Sequence, residues 1–302
     1  MQHRAGPLVS TFSIVGYDPT ASAWGIAIAS RFLAVGARTC WGAPDAGVIV
    51  LQAYLNADNG PKGLTLLKQG LTAADVVKEL MAQDPYPHLR QMAVIDLQGN
   101  VETYTGEGCG SWTGGVPGTH CAAQGNMLLG GEGCEAMVEH FANAEGNLAR
   151  RLVDALAIGD AVAGDFRGRQ AAALYIVRPP FKESYDVFTE PVIDLRVDDH
   201  ANPFDELKRL LDLYELIYLP TARDERMKPD DATVKRYQQA LIGLGYYSGE
   251  PHGQLDEATQ QALQTLGRME NFSKRLGQTD WLDGRLLEYI EAKTNTDAEH
   301  GS

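Results

Sequence analysis

The chain has 302 residues, 44% of them hydrophobic and 22% charged, with 32 glycines; this is a globular composition with many tight turns, and it excludes a disordered or fibrous protein. A net charge of -14 disfavours partners held through phosphates, whose affinity comes from clustered Lys and Arg displacing counterions, so no nucleic acid is expected. No apolar run suits a signal-peptide core or a membrane span, which leaves the cytoplasm as the default address and no membrane partner.

In chain order, Thr11 to Val15 alternates and DPTASA turns it into WGIAIAS, an antiparallel hairpin. A third strand, GVIVLQAYLN, is followed by a break at Gly60-Pro61 and two short helices, the first with Leu64 and Leu67 inward. The second opens at Thr72 with Asp75 at capping-box spacing, and its apolar stripe is Val76, Val77, Leu80 and Met81. Another hairpin, MAVIDLQGNVETYTG, turns at Gln98-Gly99-Asn100. A glycine-crowded loop then leads to a short strand, HCAAQ. Cys134, Met137, Val138 and Phe141 next share one helix face, and Leu148, Leu152 and Leu156 mark a further helix. AAALYIV and VIDLRVD read as strands, and Pro203 starts a helix carrying Leu207, Leu210, Leu211 and Tyr214.

Hairpins interrupted by helix pairs are not βαβ alternation, so an α+β domain with antiparallel sheet is expected. No glycine-rich phosphate loop opens a helix, which argues against a dinucleotide or P-loop enzyme, and no cofactor is expected. Cys40, Cys109, Cys121 and Cys134 form no CxxC pair and read as reduced, mostly buried thiols. His120 beside Cys121 points to the opposite face of a strand. Asp198-Asp199-His200, ahead of a Pro-led helix, suits capping better than a metal, and no metal is expected. The polar, proline-bounded stretch at 219–229 reads as a linker to a small all-α unit at 230–295, with Val234, Tyr237, Leu241 and Leu244 on one helix and Asp256, Thr259, Ala262, Leu263 and Leu266 on the next.

A threonine hydroxyl is a poor nucleophile until a base takes its proton, and a free amine on the same residue can be that base. The segments TFSIVGYDP, GIAIASRFLAVGA, QAYLNADNGPKGLTLLKQG, AAQGNMLLG, GDFRGRQAAALYIV and DLRVDDHANP together resemble an uncharacterised bacterial family of N-terminal-nucleophile-hydrolase fold, over about residues 11–216. LIGLGYYSGEPHGQLDEATQQAL resembles a peptidoglycan-binding domain through Gly245-Tyr246, Gly253 and Thr259, with His252 where an Asp is common. The first resemblance implies a four-layer αββα sandwich over 11–218 behind a leader at 1–10, with Thr11 as nucleophile. It also implies Ser30 and Arg31 at the end of the second strand, Asn126 before a helix as an oxyanion holder, and Asp160 as an assisting carboxylate.

The resemblance departs at one place: CWGAPDAGVIVLQ holds no Lys where proteasome-like relatives carry one, leaving Arg31, Arg167 or Arg169 to supply charge. In DFRGRQ, Arg167 and Arg169 flank Gly168 at a spacing that can grip a substrate carboxylate, with Gln170 beside them; the competing reading is solvated charge at a strand entrance. Equally, Thr11 can be an ordinary strand residue, Asn126 a cap and Asp160 the cap of a turn. For MQHRAGPLVS three explanations stand: autocleavage after Ser10, a start set too early, or a leader that is never cut. The expected function is an amidohydrolase cleaving a C–N bond of a small amide or peptide-like substrate. The alternative is an inactive binding protein that recognises peptidoglycan fragments through its C-terminal domain. Self-association is compatible with either.

Overall fold

The computed structural model describes residues 11–163, 167–179 and 192–300; the expected leader, residues 1–10, lies outside them. The chain divides into two compact units, Met1–Leu211 and Asp212–Ser302.

In the first unit, β1 (Thr11–Asp18) and β2 (Ala23–Ser30) form the expected hairpin, with Thr11 opposite Ser30. Asp18 closes the turn by accepting from the backbone N–H of Thr20 at 2.9 Å, the side-chain mimicry of a backbone turn that Asp offers. Then follow α1 (Gly36–Thr39), β3 (Cys40–Ala43), β4 (Gly47–Ala53), α2 (Asn59–Lys68), α3 (Ala73–Gln83), β5 (Arg90–Ile95) and β6 (Val101–Thr105). β7 (Trp112–Gly118), β8 (Cys121–Leu128), α4 (Glu132–Asn143), α5 (Leu148–Ala163), β9 (Ala171–Val177), β10 (Ile193–Val197) and α6 (Pro203–Tyr218) complete the series. Two antiparallel sheets result, one ordered β10-β9-β2-β1-β8-β7 and the other β3-β4-β5-β6.

Side-chain alternation explains how the sheets are covered. Val15, Ile26 and Ile28 of the six-stranded sheet share a buried cluster with Val48, Val50, Ala93 and Ile95 of the four-stranded one. The intervening residues Ile49, Leu51, Met92 and Val94 instead pack with Leu67, Val76, Val77 and Leu80 of α2 and α3, while α4 and α5 lie against β1, β2 and β8. Each such aliphatic side chain contributes about 1.5–3 kcal/mol on burial.

Several local expectations are corrected. Gly60 and Pro61 do not break the chain; they sit in the first turn of α2, where a missing N–H costs nothing. The glycine-crowded loop is largely β7, an edge strand, where Gly and Pro117 are tolerated. The short strand HCAAQ extends to Leu128, so Asn126 lies within β8 and not before a helix; α4 begins only at Glu132. Asp160 does not cap a turn beyond a helix, since α5 runs on to Ala163. The Thr72 cap is as expected, its side chain accepting from the N–H of Asp75 at 3.2 Å.

The second unit holds α7 (Asp231–Gly243), α8 (Glu257–Met269) and α9 (Gly284–His300), and is not purely helical: β11 (Arg226–Met227) pairs with β12 (Leu282–Asp283). Asp230 and Asp256 cap α7 and α8. Its core gathers Val234, Tyr237, Leu241, Leu263, Leu266 and Leu286, and Arg275, fully buried, binds Asp283 at 2.9 Å and Glu225 at 2.7 Å. Among the described residues no helix is long and apolar enough to cross a membrane.

Candidate functional site

Thr11 opens β1, an interior strand, with Ser30 ending β2 on one side and Asn126 in β8 on the other, each directly opposite it in register. All three are buried. The Thr11 Oγ1 lies 3.0 Å from Ser30 Oγ, a hydrogen bond in which either hydroxyl can donate. By strand alternation Thr11, Ser13, Gln124 and Asn126 face the four-stranded sheet, and the contacts agree: Ser13 Oγ donates to Gln52 Oε1 at 2.8 Å.

A chain of buried amides crosses between the sheets behind this trio. Gln91 Nε2 donates to the carbonyl of Gly125 at 2.8 Å and to that of Gly114 at 3.2 Å. Gln91 Oε1 accepts from Gln52 Nε2 and from Asn126 Nδ2, both at 2.8 Å. Gln52 Nε2 also approaches the carbonyl oxygen of Thr11 at 3.5 Å. Gln124 reaches across likewise; with its amide turned so that nitrogen faces the only available acceptor, it donates to Met92 O at 2.7 Å and accepts from Ala93 N at 3.1 Å. Asn126 Oδ1 is buried and has no hydrogen-bond partner among the described residues. Asn126 Nδ2 gives one hydrogen to Gln91 and keeps a second, so the side chain holds both a donor and an open acceptor.

The backbone beside these amides is strained. Ala53 follows Gln52 with φ +60°, and Met127 follows Asn126 with φ +53°, where the β7–β8 register skips a residue. Non-glycine residues rarely adopt this region, and such outliers gather at functional sites.

The remaining candidates lie on the other face. Phe12, Ala29, Ser30, Asp160, Arg169 and Phe204 are among the residues lining a small, open depression. Phe12 stacks on Phe204 at 6.2 Å, and the Arg169 guanidinium stands 5.6 Å from the Phe204 ring. Arg169 already grips a carboxylate, that of Asp160, through Nε at 2.8 Å and Nη2 at 2.6 Å. Arg31 Nη1 donates to the Arg169 carbonyl at 3.4 Å, Arg167 sits in the turn before Gly168, and Gln170 Nε2 donates to Asp199 at 3.0 Å. The structure thus brings Thr11, Ser30 and Asn126 together, and sets Asp160, Arg169 and Gln170 round a pocket on the α5 face, which Ser30 borders at the strand end. Gln52 and Gln91 were not singled out from sequence. Their signal was present: each stands at the inward parity of an otherwise apolar strand, Val48-Val50-Gln52 and Gln91-Ala93-Ile95.

The cysteines take no part. Burial pushes the Cys40 and Cys134 thiols up to about 12 and that of Cys121 up to about 11. Among the described residues no three His, Cys, Asp or Glu side chains gather to hold a metal. His200 serves the turn before α6, its Nδ1 accepting from Asn202 N at 3.1 Å, while Asp199 accepts from Gln170.

A chain of two packed antiparallel sheets and helices, with a hydroxyl-and-amide site at one sheet end, matches over residues 11–207 the model described as "Family of unknown function (DUF1028)". The chain belongs to that family. Residues 219–290 match a model described as "Putative peptidoglycan binding domain", so the chain carries such a domain beside it. A crystal structure of a protein from Silicibacter pomeroyi, assigned to the same family, is similar at 30% identity and a TM-score of 0.61, covering 68% of this chain and 89% of that one. No curated protein matches the chain.

Proposed function

We propose that this protein is an amidohydrolase whose nucleophile is Thr11, acting on a C–N bond of a small amide or peptide-like substrate once the peptide bond ahead of Thr11 is broken. In this reading the two facing sheets with helices on their outer sides are the αββα sandwich of N-terminal-nucleophile hydrolases. The observation that carries it is the Thr11 hydroxyl, held at 3.0 Å by Ser30 at the start of an interior strand beside strained backbone.

The Thr11 oxygen attacks the substrate carbonyl carbon while its proton passes to the freed α-amine, with Ser30 orienting the hydroxyl. Collapse of the tetrahedral intermediate breaks the C–N bond, and the departing amine takes that proton. Water then attacks the resulting ester and returns the hydroxyl. Arg31 places positive charge at the strand end beside Ser30, and Gln52 Nε2 supplies a neutral donor 3.5 Å from the Thr11 carbonyl oxygen.

The intact mass and first residues of the purified protein test this. A chain beginning Thr11-Phe12-Ser13 is expected, and Thr11→Ala should abolish both amide hydrolysis and any self-cleavage. Retention of residues 1–10 with no slow cleavage refutes it. Two observations favour a second reading, a binding protein for cell-wall fragments: Asp160 and Arg169 are occupied with each other, and a peptidoglycan-binding domain is attached. Muropeptide-induced NMR shifts confined to residues 219–290, in a chain that keeps residues 1–10, would support it.

A further inference from the structure

Amide orientation in the buried network is dictated by the main chain. A carbonyl oxygen can only accept. Because Gln91 contacts the carbonyls of Gly125 and Gly114, the atom facing them must be its nitrogen, and Oε1 must face Gln52 and Asn126. Both of these must then present nitrogen to it, and Gln52 consequently offers Oε1 to the Ser13 hydroxyl. The polarity therefore runs from two strand carbonyls to one buried terminus, Asn126 Oδ1, which finds no donor among the described residues. A buried acceptor left unpaired costs about 1–3 kcal/mol. That cost is removed when an N–H arrives.

We propose that Asn126 Oδ1 is the acceptor for the α-amine of Thr11, and that Gln91 is the positioning residue that fixes it so. This rests on the proposed reading, in which Thr11 becomes a chain end. Thr11 is the residue paired with Asn126 across β1 and β8. One amine N–H given to Asn126 leaves the nitrogen lone pair to be turned toward the Thr11 hydroxyl, which is what a general base on the same residue requires. The side chains on this face, Ser13, Ser30, Gln52, Gln91 and Asn126, carry no charge. Among the described residues, Asp160 and Arg169 line the pocket on the α5 face, and Arg31 donates to the Arg169 carbonyl. The Asn126 acceptor therefore sets the amine's proton affinity from within the sheet sandwich.

The test is an NMR titration of the Thr11 α-amine nitrogen in the processed protein. An acceptor stabilises the protonated amine, so Asn126→Leu is expected to lower the amine pKa by about one unit, a tenfold change in its acid dissociation constant. Gln91→Met, which frees the Asn126 amide to rotate, should shift it the same way. Asn126→Asp keeps the oxygen and should leave the value at or above that of the parent protein. A mere packing defect would not separate Leu from Asp. Should the variants fail to fold, the parent protein decides: the Asn126 Nδ2 protons, tied to Gln91, must exchange with solvent at least a hundredfold more slowly than exposed side-chain amides. An unchanged pKa in Asn126→Leu, an equal fall in Asn126→Asp, or fast exchange of those protons overturns this assignment alone. A Thr11 without a free amine overturns it together with the proposed hydrolase.

Discussion

Asp84, the residue after α3, shows how firmly the strand bearing Gln91 is anchored. Its Oδ2 accepts from Arg90 Nε at 2.9 Å, Asn56 Nδ2 at 2.8 Å and Asn59 Nδ2 at 3.1 Å, and its Oδ1 from Tyr86 N at 2.9 Å. The Asp84 side chain is fully shielded, and Arg90 spends a second donor on the Tyr54 carbonyl at 2.7 Å. Burial alone would raise this carboxyl; the hydrogen bonds from Arg90, Asn56, Tyr86 and Asn59 outweigh it and hold the group well below the ordinary carboxylate range. Asp84→Asn can turn its oxygen to the three side-chain donors, but then faces an N–H toward Tyr86 N and leaves Arg90 without a counter-charge. Removing one partner of a buried pair costs about 3–5 kcal/mol; because three contacts survive, a loss of about 3 kcal/mol is expected. In a unit of this size that lowers the thermal midpoint by roughly 6–12 °C.

The sign with pH follows from the lowered folded value. The contribution is present above the unfolded Asp pKa of about 3.9 and is lost as pH falls through the folded one. Urea unfolding of parent and variant from pH 7 down to the acid limit should therefore show a gap of about 3 kcal/mol that shrinks on acidification. A gap below ~1 kcal/mol at pH 7, the range of an exposed pair, or one that stays constant into acid, refutes the clamp.

Two further outcomes are expected. Gly60→Ala would drive a Cβ into the indole of Trp41; although alanine favours helix by ~1 kcal/mol, overpacking costs about 1–3 kcal/mol, so net destabilisation, read by calorimetry, is expected, and a gain in stability would contradict the packing. The raised thiols of the buried Cys121 and Cys134 should react with a thiol-exchange reagent at pH 8 only slowly in the native protein and rapidly once unfolded; prompt native reaction of either would contradict its burial.

Much of the architecture was legible because alternation and capping are local. Thr72 capping α3 and the Cys134, Met137 and Phe141 face of α4 needed no tertiary knowledge. Misreadings arose where tertiary pairing overrode a local cue. Gly125-Asn126 carries the letters of a turn, yet β1 and β7 hydrogen-bond it from both sides and keep it extended. Trp112–Gly118 is rich in glycine with a proline, which an edge strand admits and a central one does not. The site was half legible: Thr11 and Ser30 end strands in sequence, but which amide meets which depends on register between sheets, and Gln52 and Gln91 stand 39 residues apart.

The directional chain from Gly125 O through Gln91 to Asn126 also bears on how such a site can change over generations. Replacing any one of Gln52, Gln91 or Asn126 by a residue of opposite hydrogen-bonding sense sets two acceptors or two donors face to face in a dry interior. A lineage that altered the chemistry at Thr11 would have to pass through that penalty or substitute two of the three together. The amides therefore form a single heritable unit, and comparison among relatives should find them exchanged as a set.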